Sequence, residues 1–86
     1  MGKKSVLFQN VDRLVDLGIA IASVRKMKGL SQEELAEKAH ISRSYLSDIE
    51  NPNSVRKFSI QTLFNIVDAL DVSADDLLKT KISDIY

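Results

Sequence analysis

SQEELAEKAHISRSYLSDIEN, residues 31–51, reads as two short helices joined by a tight turn. Ser31 is a strong helix cap, because its hydroxyl accepts an otherwise unpaired backbone N–H, and Glu34 three residues later completes a capping box. Leu35, Ala36 and Ala39 then form a narrow apolar stripe at helical spacing, with Glu33, Glu37 and Lys38 turned away from it. His40 stands where this helix must stop, and Ile41 is an apolar plug before the next cap, Ser42. From Arg43 to Asn51 only Leu46 and Ile49, helped by part of Tyr45, call for a core. At about 100° per residue, Ser44, Ser47, Asp48 and Asn51 fall opposite that side, with Arg43 flanking them at the N-terminal end. A helix whose outer face is small, polar and rich in donors suits the floor of a DNA groove.

These residues resemble the helix-turn-helix of the lambda-repressor/Cro-like family, also called the XRE family. The likeness rests on Gln32 opening the first helix, Ala36 at the helix–helix contact, Ile41 in the turn, and Leu46 and Ile49 behind the second helix. It extends to Arg25 and Gly29-Leu30 before the motif and to ALDVSADDLL, Ala69–Leu78, after it, so that it spans roughly residues 17–78. The resemblance implies an all-α, five-helix lambda-repressor-like DNA-binding domain with the helix-turn-helix at helices 2 and 3. One position departs from the pattern. The family usually has glycine at the turn, where φ is generally positive, and here the residue is His40, which implies a modest stability cost.

The rest of the chain narrows the possibilities. Its 86 residues are enough for one domain. A hydrophobic share of 44% with 28% charged residues is ordinary for a soluble globular protein. No cysteine is present, which excludes disulfides, thiolate zinc sites and cysteine catalysis. The longest apolar run, within Leu17–Val24, is far short of the ~18–20 residues of a membrane span. Lys3 and Lys4 are followed by too short an apolar segment for a signal peptide, so a reducing cytoplasm is the expected location. Net charge is zero but unevenly spread. Residues 1–31 carry six Lys/Arg against two Asp/Glu, residues 32–50 two against five, and residues 51–86 four against five. That asymmetry can orient a neutral protein on DNA while promising weak non-specific binding; solvated helix faces are the plain alternative.

In chain order, residues 1–9 show no helix signal and are expected to form an N-terminal arm or a short strand. Asn10 is the expected cap of a first helix running from about Val11 to Lys28, closed by Gly29. This helix is apolar nearly all round, which calls either for a partner subunit or for a place at the centre of one core. A loop with the only proline, Asn51–Phe58, leads to a helix capped by Ser59 and ending near Leu70, with Ile60, Leu63, Phe64, Ile66, Val67 and Leu70 as its buried stripe. Asp71 occupies another position where the family usually has a helix-ending glycine. Ser73 with Asp76 resembles a further capping box for a fifth helix carrying Leu77 and Leu78. The domain is thus expected over residues 10–80, with an apolar tail over 81–86.

Arg43 is the leading base-reading candidate, since a guanidinium at the start of a groove-lying helix can grip guanine O6 and N7 together. Its alternative is a surface pair with Asp48 or Glu34. Ser44 and Ser47 match base-facing positions of the family; Asp48 either accepts from cytosine N4 or holds Arg43. Gln32 resembles the family glutamine that binds a phosphate. Tyr45, Asn51, Arg56 and Lys57 are further phosphate candidates, with simple ring packing the alternative for Tyr45. The resemblance also implies an ion pair between Arg25 and Glu50 that ties the reading helix to the scaffold. Leu78, Ile82, Ile85 and Tyr86 are candidates for a dimer surface. His40 is a turn residue. No nucleophile–base pair, metal-ligand cluster or glycine-rich phosphate loop is present, so neither an enzyme nor a cofactor is expected. The function expected is a sequence-specific DNA-binding transcriptional regulator, a repressor working as a homodimer on palindromic double-stranded DNA. One alternative is an antitoxin-type protein that binds a toxin partner through Glu50–Phe64, and another is an interaction module that has left DNA.

Overall fold

The computed structural model describes residues 2–54 and 58–79, which form α1 (Gly2–Met27), α2 (Gln32–Lys38), α3 (Arg43–Glu50), α4 (Ile60–Leu70) and α5 (Ala74–Lys79). No strand occurs among the described residues. The fold is the all-α, five-helix arrangement that the resemblance implied.

The serine caps act as the sequence requires. Ser31, Ser42 and Ser59 all take extended φ/ψ, and their hydroxyls accept the backbone N–H groups of Glu34, Tyr45 and Thr62. Ser73 Oγ accepts from the Asp76 N–H at 3.1 Å in the same way. At Ser31 the box is complete, because Glu34 Oε1 in turn accepts the Ser31 N–H at 2.9 Å.

Three helix ends are built alike. Gly29, His40 and Asp71 all lie at positive φ, 74°, 59° and 59°. In each case this residue's N–H donates three residues back and the next residue's N–H donates five back, as in Gly29 to Lys26 with Leu30 to Arg25, and His40 to Glu37 with Ile41 to Ala36. Asp71 to Asp68 with Val72 to Val67 repeats the pattern. This is the Schellman arrangement, which pairs the last carbonyls of a helix and turns the chain back. The residues that follow, Leu30, Ile41 and Val72, are apolar and pack against the core. Each left-handed residue therefore delivers an apolar anchor.

Two expectations need correction. The first helix begins at Gly2, not at Val11, so Asn10 lies within it instead of capping it and residues 2–9 are helical. A good cap residue does not stop a helix. Asn inside one costs less than about 0.7 kcal/mol, and neither proline nor glycine interrupts Lys3–Leu17. In α4, Leu63, Ile66, Val67 and Leu70 are buried, but Ile60 and Phe64 are 66% and 51% exposed. The buried four span an arc of about 100°; Phe64 lies roughly 110° from its centre, and Ile60 sits at its edge in the first turn.

The core joins all five helices through Ala20, Ile21, Leu35, Ala36, Ala39, Leu46, Ile49, Leu63, Ile66, Val67, Leu70 and Leu77. Helix α1 packs on α3 and α5, α2 on α3 and α4, and α4 on α5. With eight residues, α3 is too short to be stable alone and depends on burying Leu46 and Ile49. Full burial of such side chains contributes about 1.5–3 kcal/mol each.

Candidate nucleic-acid interface

The outer face of α3 is the candidate surface. Arg43, Ser44, Ser47 and Asn51 are exposed, whereas Tyr45 and Asp48 are half-buried on its flank. Tyr45 and Asp48 both make interactions within the protein. Arg43 makes no ion pair among the described residues, so neither Asp48 nor Glu34 draws it off this face. Glu34 is committed elsewhere. Its bonds from the Ser31 N–H and then the Ser31 hydroxyl, aided by Lys38, hold its carboxyl below the usual glutamate range.

The opposite side of α3 is held by charge as well as by apolar contact. Arg25 on α1 donates from Nε to Glu50 Oε2 and from Nη2 to Glu50 Oε1, both at 2.9 Å. Its Nη1 donates to the Leu30 carbonyl at 2.8 Å. Both residues are only 8% exposed. Gln32, at the start of α2, donates from Nε2 to Glu50 Oε1 at 3.0 Å. One carboxylate thus joins α1, α2 and the end of α3 with three N–H bonds, and no buried side-chain polar atom among the described residues is left unpaired. Planar bidentate pairing fixes direction as well as distance.

Gln32 consequently has a partner that sequence reasoning did not assign. One amide hydrogen is spent on Glu50, and a second remains on the same nitrogen. Asn51 also has a local duty, because its Oδ1 accepts the Asn53 N–H at 2.9 Å while its carbonyl accepts the Ser54 N–H at 3.0 Å. Pro52 sits second in that four-residue turn, where its fixed φ suits it. The Asn51 amide nitrogen is still able to donate.

A closer contact lies behind α3. A Cβ built on Gly18 would fall far inside contact distance of the Ile49 carbonyl oxygen and 3.2 Å from the Ile49 carbonyl carbon. The signal was available in the sequence, since a glycine inside a helix costs about 1 kcal/mol relative to alanine and calls for a packing reason.

Leu78 is 58% exposed on α5. Arg56, Lys57, Ile82, Ile85 and Tyr86 lie outside the described residues. No described helix is long and apolar enough to cross a membrane.

With this geometry in place, the comparisons with known proteins agree with one another. A family model for the helix-turn-helix matches residues 21–77. The HTH-type transcriptional regulator SinR of Bacillus subtilis (strain 168) is 48% identical over 65 residues, covering 76% of this chain and 58% of that regulator. The matched part is thus a little over half of that relative's length. Among solved structures, the restriction-modification controller protein C.Esp1396I has a TM-score of 0.73 at 36% identity, covering 85% of this chain and 93% of that one. The controller protein C.AhdI from Aeromonas hydrophila has a TM-score of 0.69 at 34% identity, covering 74% and 94%.

Proposed function

Because the chain belongs to the lambda-repressor/Cro-like helix-turn-helix family, we propose that it is a sequence-specific DNA-binding transcriptional regulator, a repressor acting as a homodimer on a palindromic operator. The observation that carries this reading is the division of α3 into two sides. Its inner side is locked by Leu46, Ile49 and the Arg25–Glu50 pair, and its outer side offers Arg43, Ser44 and Ser47 to solvent. A rigidly held short helix with a donor-rich face is what direct readout in a major groove requires.

Arg43 grips a guanine edge, and Ser44 and Ser47 adapt to neighbouring bases. Asp48 accepts from a cytosine N4. Gln32 directs its second amide hydrogen to a phosphate, and Tyr45, Asn51, Arg56 and Lys57 extend the backbone contacts, which set register without reading sequence.

The test is selection of bound duplexes from a random pool at fixed salt, with Arg43→Ala in parallel. The wild type is expected to enrich a palindrome, and the variant to relax it at one position per half-site by about 1–3 kcal/mol. Absence of enrichment, together with binding that ignores salt, rejects the reading, because phosphate-driven binding weakens as salt rises.

A second reading adds a protein partner such as a toxin, supported by the exposed Ile60 and Phe64 within Glu50–Phe64. It predicts that the product of an adjacent gene coelutes with the wild type and not with Phe64→Asp. Failure to coelute with the wild type removes it.

A further inference from the structure

Gly18, Ile21 and Arg25 recur at i, i+3 and i+7 on α1 and therefore share one face. That face receives the C-terminal end of α3. Arg25 clasps Glu50 there, Ile21 is fully buried, and at Gly18 the two backbones meet without a side chain between them. The opposing group is the Ile49 carbonyl, in the last turn of α3, where helix carbonyls lose their intrahelical partners. The N–H four residues on, that of Asn53, donates to Asn51 Oδ1 instead. Only a Cα–H can approach the oxygen this closely, and glycine alone presents one there.

We infer that Gly18 is a positioning residue for DNA reading: the absence of a Cβ sets how deeply the recognition helix seats on α1. The inference rests on the proposed DNA-binding function and deepens it. Any Cβ at position 18 meets backbone atoms of Ile49, with the Glu50 Cα 3.7 Å away. No side-chain rotation relieves that contact, so α3 must move outward on the order of 1 Å to restore an ordinary C···O separation. Arg25 and Glu50 oppose the motion because their paired bonds are directional. The result is a tilt about the Glu50 end that moves Arg43, Ser44 and Ser47 relative to the groove. Binding constellations lose function at displacements of about half an ångström and more.

The variant is Gly18→Ala, made in the full chain and also in an Asp71→Gly background that adds stability at the C-terminal end of α4. Affinity is measured for the selected palindrome and for a scrambled duplex of equal length at the same salt, with amide NMR spectra of both proteins. Expected are about tenfold or greater weakening on the palindrome, change within about twofold on the scrambled duplex, and amide shifts concentrated in Arg43–Asn51. Loss of stability alone would weaken both duplexes alike by lowering the folded fraction. Proportional weakening of both, or an α3 with unchanged shifts and unchanged specificity, overturns the inference. If the variant is unfolded in both backgrounds, the wild type decides: an NOE from the Gly18 α-protons to Glu50 is required, and its absence overturns the close seat. A wild-type chain that selects no duplex instead overturns the DNA reading, and the shift pattern still tells whether Gly18 seats α3.

Discussion

His40 and Asp71 hold backbone angles that ordinarily belong to glycine, φ 59° in both, while Gly29 does the same work with the residue suited to it. A β-carbon in the left-handed region costs about 1 kcal/mol, partly offset by the greater chain entropy that glycine loses on folding. His40→Gly and Asp71→Gly are each expected to stabilise the fold by roughly 0.5–1 kcal/mol, raising Tm by a few degrees in a domain of this size. The two sites lie at different helix ends, so thermal melts of the double variant should show additive gains. Glu34 gives a pH-dependent counterpart. Its folded pKa is lowered, chiefly by the Ser31 N–H, so its contribution is complete above the ordinary glutamate range near pH 4.3 and disappears as pH falls through the lowered value. Glu34→Gln keeps a hydrogen-bond acceptor but cannot titrate, and acid melts should be flatter below about pH 4 than those of the wild type. At this scale the sequence was readable wherever one side chain suffices for the job. Ser31, Ser42, Ser59 and Ser73 act on backbone groups three residues away, and their reach is local. The left-handed angles at His40 and Asp71 were legible only through the resemblance, because neither residue type demands them.

Among the elements, α3 depends most on its neighbours. Its apolar contacts are few, and the Arg25–Glu50–Gln32 group adds directional bonds to its attachment. Removing one side of a buried pair strands the other, so Glu50→Leu is expected to cost about 3–5 kcal/mol by leaving the Arg25 guanidinium desolvated and unpaired. Arg25→Met together with Glu50→Leu should recover much of that stability in denaturant titrations. DNA affinity is expected to stay low in the double variant, because apolar contact restores burial without the directional bonds that orient α3 and Gln32. Recovery of both properties together would show that the pair serves stability alone. Helix existence was legible at this scale, and helix limits and faces were less so. The stripes of α2 and α3 recur at helical spacing and are buried as their period requires. The start of α1 was not legible, since Asn10 suits a cap but costs less than about 0.7 kcal/mol inside a helix, too little to stop one. The exposure of Ile60 and Phe64 was hidden for a different reason: apolar character records what a residue tolerates, and only the packing of α4 against α2 and α5 decides which flank is covered. The Gly18 seat needed both helices in place before its partner, a backbone carbonyl, was visible.

For the whole molecule, the shortness of α3 is an argument for assembly. One copy presents Arg43, Ser44 and Ser47 on one eight-residue helix, with Asn51 just past its end. Only Arg43 on that face can grip a base edge bidentately, and at about 1–3 kcal/mol for such a contact one copy falls short of the roughly 4–10 kcal/mol separating specific from non-specific sites. Zero net charge removes the alternative of a strong electrostatic background. Doubling the reading surface supplies the difference, and a two-fold pair places its α3 helices about 34 Å apart on one side of the duplex. Leu78 and the sequence Ile82, Ile85, Tyr86 carry the apolar character such a pair needs, and Leu78 is 58% exposed. Leu78→Asp, or Ile85→Asp with Tyr86→Asp, is therefore expected to give monomers by light scattering with an unchanged helical spectrum. On a selected palindrome the monomer should bind each half-site separately and weakly, so that inserting five base pairs between them alters nothing. For the wild type the same insertion turns the half-sites to opposite sides of the duplex and should abolish tight binding. A wild type indifferent to the insertion would mean that each copy reads DNA alone, and the apolar surface would then have to be assigned to a different partner.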